Sequence, residues 1–428
     1  MIANKKEPKT FGEVFALLGD LYKSEGAASF IQQCLTLGKE PTPAGRWWLF
    51  SIITTLVSFA FVMYQLIFVG HASFNTSSNG VNWGMAISTY VFFALISSGL
   101  TMIASLGTVF GFKQFMPIAK RSIFLAIITL VAGFSVLALE LGHPFRMLWA
   151  VPTGMQILSP MFWMGVFYTI DLILLIIKFY LMWQEDWDSG LSHLVGNLGF
   201  VAVILASGML GLVFGSLAMR PMWFGAFTSI YYMLTAALSG AAAIVVTTYM
   251  AYGFDSSKMR PELRALASGE ELPKVFATLI GITMVMILTR FWVGLWTNAD
   301  GMDGFNVLVK TPLFHIQLWL GLVLPFIMML SPSMQTRMKP QIIAAFLVLG
   351  AMFINRYEFI IGGQLVPMFK GTWAYSLAPY FPSATEWALT VMGFGITLAL
   401  YALGEKLFVL SATPPTSTEA ERSKLAHV

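Results

Sequence analysis

Ten stretches of the chain are long and apolar enough to cross a bilayer, and short polar segments holding most of the charge separate them. A hydrocarbon core of about 30 Å takes roughly 20 consecutive apolar residues as a helix. The stretches lie at Trp47–Val69, Trp83–Phe110, Ser122–Leu141, Trp163–Met182, Leu194–Met219, Ala226–Tyr249, Val275–Trp296, Leu313–Leu330, Gln341–Ile361 and Trp387–Leu410. The pattern predicts an all-α integral membrane protein with ten transmembrane helices. The first 46 residues are polar and mixed in charge. The first apolar run is full length, so it reads as a retained span and not as a cleaved signal. Before it, Thr10 and Glu13 form a T-x-x-E capping box. Phe11, Val14, Phe15, Leu18 and Tyr22 follow at helical spacing. They predict a short amphipathic helix that either lies on the membrane surface or packs against the bundle. The tail Ser411–Val428 is rich in Pro, Ser and Thr and reads as disordered.

The second and sixth spans resemble each other. Tyr90-Val-Phe-Phe-Ala-Leu-Ile-Ser-Ser-Gly99 and Tyr231-Tyr-Met-Leu-Thr-Ala-Ala-Leu-Ser-Gly240 keep Tyr, Ser and Gly at the same offsets, each after a tryptophan, Trp83 and Trp223. Two spans later, Ser159-Pro160-Met161-Phe162 matches Thr311-Pro312-Leu313-Phe314. Both pairs are four spans apart, and an even number of spans gives parallel repeats. Spans 2–5 and 6–9 are therefore expected to form two related four-helix bundles, flanked by spans 1 and 10. The expected organisation runs as follows: a segment 1–46, span 1 with its loop over 47–82, and a first bundle over 83–219. A second bundle covers 220–361, a loop with span 10 covers 362–410, and the tail covers 411–428.

Charge placement adds orientation. Of 25 basic residues, 18 fall on one side: six before Trp47, then Lys113, Lys120, Arg121, Lys258, Arg260, Arg264, Lys274, Arg337, Lys339, Lys406, Arg422 and Lys424. The opposite loops hold Arg146, Arg220, Lys310 and Lys370. Positive residues stay inside, so both termini are expected in the cytoplasm. Most of the 13 tryptophans sit at span ends, where amphipathic rings prefer to lie.

Composition excludes whole classes. With 57% hydrophobic and 11% charged residues and a mean hydropathy of +0.74, the chain has less than half the charge of a soluble domain, which is about 25%. A single cysteine, Cys34, excludes a disulfide scaffold and an iron–sulfur cluster held by this chain alone. None of the five histidines lies mid-span, so no haem is expected, and no metal site is evident. Nothing points to nucleic acid.

An ionisable group within a span marks a functional hypothesis. Glu140 ends span 3 and His143 follows, with Gly142 and Pro144 breaking the helix. Asp171 lies roughly 12 Å into span 4 at 1.5 Å per residue, with Tyr168 one turn away and Lys178 on the same face. Arg290, Arg356 and Glu358 occupy the same, periplasmic, half of spans 7 and 9. Lys178 reads either as a side chain snorkelling to the interface or as part of a proton path with Asp171, Ser135 and Ser207. Arg290 and Glu358 read as a pair locking the second bundle or as ligand contacts, and Tyr168 as packing or pocket lining. A carboxylate and an imidazole in an apolar pocket suit a quinone, whose reduction consumes protons as well as electrons.

The motifs around these residues resemble a known family. Leu137-Ala-Leu-Glu140-Leu-Gly-His143-Pro144-Phe-Arg146, then Ser159-Pro160-Met161 and Trp163 leading to Asp171, are similar to the LDLGxPxR…SPMSW…D pattern of NrfD/PsrC-type subunits. Trp83-Gly84 with Tyr90 and Ser98-Gly99 matches that family's second span. Arg356-Tyr357, Gly362-Gly363-Gln364, Pro382-Ser-Ala-Thr-Glu386-Trp387 and Gly404-Glu405 match its ten-span members. Glu140 and His143 stand where the pattern more often has Asp and Arg. The resemblance covers roughly residues 47–410 and is strongest to membrane subunits of the menaquinone reductase complexes of sulfate reducers. It implies a bacterial inner membrane as the location, menaquinone as bound substrate, no redox cofactor in this chain, and periplasmic partners. These would be a four-cluster iron–sulfur subunit, a molybdopterin-fold subunit and a multihaem cytochrome c. It further implies a quinone site at His143, Asp171, Glu140 and Tyr168, with docking through the loops Asn298–Pro312 and Gln364–Ser383. Protons can be taken from either side: uptake from the cytoplasm would make the reaction electrogenic, uptake from the periplasm electroneutral, and the sequence leaves that choice open. The quinol-oxidising branches of the family, alternative complex III and the high-molecular-weight cytochrome complex among them, fit the same motifs. From other classes, a secondary transporter or a simple membrane anchor remains open at this point.

Overall fold

The computed structural model describes residues 8–16, 44–77, 80–268, 271–296, 303–366 and 377–414, and among these all regular structure is helical. Ten helices are long and apolar enough to cross a membrane. They are α1 (Ala44–Phe68), α2 (Met85–Thr108), α3 (Met116–Glu140), α4 (Pro160–Trp183) and α5 (Gly190–Gly215). The second five are α6 (Phe227–Ala251), α7 (Glu271–Trp296), α8 (Pro312–Leu330), α9 (Met338–Gly362) and α10 (Ala384–Leu407). Prolines open several of them: Pro117, Pro160 and Pro312 sit in first turns, where the missing N–H is not needed.

The helices form two closed rings. In the first, α2 packs on α3 and α5, and α4 on α3 and α5; in the second, α6 packs on α7 and α9, and α8 on α7 and α9. α1 and α10 pair with each other, and α10 lies against α3. The rings meet along α2 and α6. A Cβ on Gly99 would stand 1.8 Å from the Ala236 carbonyl oxygen, and one on Gly240 would stand 2.1 Å from the Gly99 carbonyl carbon. Glycine is required there because the backbones touch, the usual basis of close helix approach in membranes. α2 is accordingly buried almost all round, while α1 and α4 present most of their surface outward.

Each end of the bundle is tied by polar side chains. At the end where α3 finishes, Gln364 accepts from the Asn82 and Trp83 amides at 2.9 and 3.0 Å and donates to the Trp83 and Ile360 carbonyls. Trp83 stacks on Trp223, whose Nε1 donates to the Phe359 carbonyl at 2.7 Å. Arg220 donates to the Val366 carbonyl at 2.7 Å, and burial pulls its pKa below the ordinary guanidinium value. Glu386, in a capping box with Ser383, accepts from the Met85 amide and from the Tyr380 hydroxyl. Burial first, and the Glu386 carboxylate second, push the Tyr380 phenol well above its usual range.

At the opposite end, Arg121 pairs with Glu405 at 2.9 Å, and Tyr401 donates to the same carboxylate at 2.7 Å. α3 begins at Met116, earlier than the expected Ser122, because Pro117 and Ile118 extend the helix before the charges; Lys120 and Arg121 are therefore helical and buried. The expected N-terminal capping box forms only in its first half: the Glu13 amide donates to Thr10 Oγ1, while the Glu13 carboxylate accepts from the Lys9 amide at 2.7 Å, one residue before the N-cap. Its helix, residues 11–16, packs on the bundle: Phe11 meets Tyr180 and Trp183, and Val14 is buried beside Trp183 and Leu407. Leu18, Tyr22, the tail from 415 onward, and residues 297–302 and 367–376 of the expected docking loops lie outside the described residues.

Two features depart from plain spans. α8 is π-helical over Ile316–Val323, and the Leu324 amide bonds the Trp319 carbonyl. Pro325 lacks an N–H and crowds the carbonyl four residues back, Gly321, so a wider turn relieves it. Between α3 and α4, beyond the expected break at Gly142, the chain forms a further helix, Pro144–Gly154, with Arg146, Phe145 and Trp149 exposed.

Candidate functional site

α4 presents an exposed apolar face outward and one polar edge inward. Ile170, Ile173, Ile176 and Ile177 point out, while Tyr168, Asp171 and Lys178 are buried. Asp171 has no exposed surface, and neither carboxylate oxygen has a hydrogen-bond partner. A buried polar group left unpaired costs about 1–3 kcal/mol, and more when charged, so this carboxyl is either held protonated or reserved for a ligand or water. Tyr168, one turn away, has its hydroxyl 3.4 Å from Ser98 Oγ on α2 and its ring edge-on to Phe134 on α3. Tyr90 stacks on Phe134, and its hydroxyl meets Met164 Sδ at 3.7 Å. Phe134 thus joins two buried phenols, Tyr90 and Tyr168, where α2, α3 and α4 meet, with the Asp171 carboxyl one turn along α4.

Arg356, expected as part of a second-bundle cluster, also reaches this group. It is fully buried on α9 and donates to Thr235 Oγ1 on α6 and to Asn355 Oδ1. Its guanidinium lies 4.9 Å from the Tyr232 ring centre, its Nε is unpartnered, and it stands within electrostatic reach of Tyr168.

Glu140 and His143 stand apart from Asp171. Glu140 is the last residue of α3, part-buried and within reach of Glu386. His143 is exposed and precedes the helix Pro144–Gly154 as its N-cap. Leu141 turns to extended backbone and carries the chain outward, while Asp171 lies eleven residues into α4, about 16 Å along the axis. The structure brings Asp171 and Tyr168 together in the interior and leaves Glu140 and His143 at the rim.

Arg290 and Glu358 face a shared cavity. They line a hollow of about 40 Å³ with Tyr231, Gln317, Asn355 and Phe359. Arg290 lies 4.5 Å from the Phe359 ring centre and donates to the Met222 carbonyl; Glu358 accepts from the Thr311 hydroxyl at 3.1 Å. Among the described residues no ion pair within 4.0 Å joins them. Gln317 Oε1 has no partner. The hollow exceeds the roughly 10–15 Å³ that one water needs and is polar enough to hold it.

Lys178 donates to the Ser192 carbonyl and hydroxyl at 2.9 and 2.7 Å, at the end of the bundle away from Glu140. Ser135 and Ser207 each donate to their own helix, to Val131 and Val203 carbonyls. Neither these serines nor Lys178 bonds to Asp171. Tyr90, Ser98, Tyr232, Thr235, Asn355 and Gln317 were not among the candidates. Four of them, Tyr90, Ser98, Tyr232 and Thr235, stand in the matched stretches of spans 2 and 6, and the buried amides stand out as polar residues inside apolar runs.

Residues 73–368 match the family model described as polysulphide reductase, NrfD. The chain is 25% identical over 379 residues to a subunit of the selenate reductase of Mesobacillus selenatarsenatis, covering 76% of this chain and 85% of that protein. It is 23% identical over 387 residues to the Hdr-like menaquinol oxidoreductase integral membrane subunit of Archaeoglobus fulgidus, covering 84% and 91%.

Proposed function

The chain belongs to the NrfD polysulphide reductase family and is a membrane subunit of a reductase complex; from that premise we propose that it binds menaquinone and supports its reduction. The quinone ring sits between α2, α3 and α4, in the membrane half expected to face the periplasm. Its electrons come from an iron–sulfur partner docked on that side, with molybdopterin-fold and multihaem partners beyond. The observation that carries this reading is Asp171: a fully buried carboxyl with both oxygens unpartnered, one turn from Tyr168, in a span.

The chain's own residues would divide the work. The stacked pair Phe134 and Tyr90 walls one side of the ring's place, and Tyr168 offers a hydroxyl near Ser98. Asp171 holds and passes a proton, which suits a buried carboxyl. Arg356, reaching from the second ring, supplies positive potential where negative charge would develop. Glu140 and His143 stand at the rim, where a proton or a second carbonyl oxygen is met. Uptake of the proton from the cytoplasmic side makes the reaction electrogenic, storing about 2.3 kcal/mol per charge per 100 mV.

The test replaces Asp171 with Asn and His143 with Ala separately and measures quinone reduction by the intact complex. Asp171→Asn is expected to cut the rate by roughly 10²–10⁴-fold, the contribution of a lost acid–base group. Unchanged rates in both variants, with all subunits still assembled, refute the site. Extraction of bound quinone from the purified complex identifies its chemical type.

A further inference from the structure

The connection between α3 and α4 carries an exposed apolar patch. The helix Pro144–Gly154 presents Phe145 and Trp149 one turn apart, and Pro152 follows on the same face; Arg146 and Thr153 flank it. The chain leaves this helix through Met155, a non-glycine residue at φ +38°, and continues with Ile157 and Leu158 exposed, Leu158 by 95%. Trp163 Nε1 pins this turn to α4 by donating to the Ile157 carbonyl at 2.8 Å. The patch then runs on through Met161 into the outward isoleucines of α4.

That continuity decides what covers it. Ile170, Ile173, Ile176 and Ile177 belong to a span and face the acyl chains, so a patch contiguous with them at the span's first turn meets the same medium. Tryptophan and arginine beside an apolar stripe are what the headgroup boundary selects. This connection joins the end of α3 to the start of α4, whose mutual contact, the α3–α4 seam, is the thinnest in the first ring, and Tyr168 and Asp171 are buried on the inner edge of α4.

We propose that the helix Pro144–Gly154 and the turn to Leu158 are seated in the outer bilayer leaflet as a lip over the α3–α4 seam, and that the seam is the lateral door for a long-tailed quinone. The lip holds the headgroup layer apart from the seam, while the tail stays in lipid along α4. The door rests on the quinone reading above; the seating of the lip does not.

The test places a photo-crosslinking amino acid, p-benzoylphenylalanine, at position 145, 149 or 158 of the full complex in its native membrane. Ile173 serves as the lipid-facing control. Adducts to phospholipid at the three positions, as at 173, are expected; adducts to another polypeptide overturn the seating. Separately, Trp149→Glu and Leu158→Glu are expected to raise KM at least 5-fold for a long-tailed quinone. KM for a short-tailed, water-soluble analogue and the assembly of the complex should not change. Equal effects on both quinones, or none on either, overturn the door. If Asp171→Asn and His143→Ala both leave the rate unchanged while the lipid adducts form, the quinone reading fails and the lip stands.

Discussion

The contact between Gly99 and Gly240 yields a prediction whose size follows from the coordinates. In Gly99→Ala the added Cβ would lie 1.8 Å from the Ala236 carbonyl oxygen, 2.6 Å from its carbon and 2.8 Å from the Gly240 nitrogen. Non-bonded heavy atoms settle at about 3.5 Å or beyond, so α2 and α6 must part by roughly 1.5 Å at the crossing. Every atom struck is backbone, so no rotamer change relieves it. Overpacking costs about 1–3 kcal/mol, occasionally more, and this case belongs at the upper end. Gly165→Ala on α4 is the control: nothing lies within 4 Å of its Cβ, and alanine favours a helix over glycine by about 0.8–1.0 kcal/mol. The two variants should therefore differ by about 4 kcal/mol, close to three powers of ten in an equilibrium constant. Thermal loss of the folded peak in detergent, followed by fluorescence-detected size exclusion, reads the difference. Gly99→Ala should aggregate well below the parent and Gly165→Ala at or above it. Coincident melting of the two would refute the idea that direct backbone contact between the rings holds them together.

Two further outcomes are expected. Glu405→Gln removes the partner of a buried arginine, which costs about 3–5 kcal/mol, whereas Arg121→Met with Glu405→Leu should recover most of it, because apolar residues of similar volume replace a buried pair without strong loss; the same size-exclusion assay ranks the three. Tyr380 gives a pH signature: its folded pKa is raised, so its contribution is fully present below the unfolded value of about 10 and is lost as pH rises through the folded one. Stability measured from pH 9 to 11.5 should fall less steeply in Tyr380→Phe than in the parent.

What the sequence makes legible here is what depends on local composition. Ten apolar runs become ten helices, because a span's length is written in consecutive residues. The break at Gly142-His143-Pro144 also appears where those residues stand. What escapes is non-local. Arg356 belongs by sequence to the ninth span, yet it bonds Thr235 and covers the Tyr232 ring of the sixth because α9 packs on α6. Lys120 and Arg121 count as flanking charges in any window, but they lie inside because α3 starts earlier and Glu405 arrives from 284 residues away. The π-helical register of α8 is set by which carbonyl Pro325 displaces, and hydropathy carries no trace of that. The separation of Asp171 from Glu140 and His143 depends on where α3 stops relative to α4, a question of depth that periodicity leaves open.

The polar ties of α2 also bear on how the protein is made. The Asn82 and Trp83 amides wait for Gln364, and the Met85 amide for Glu386, 282, 281 and 301 residues later. At synthesis rates of about 5–20 residues per second, the most buried helix spends roughly 15–60 s in the membrane with its first turn unsatisfied. During that interval water, lipid headgroups or an insertion factor must serve those amides. A chain stopped before residue 364 never closes them. The end of the polypeptide thus acts as a completion check on its beginning, so truncated products would reveal themselves at the N-terminus of α2 and not at the cut.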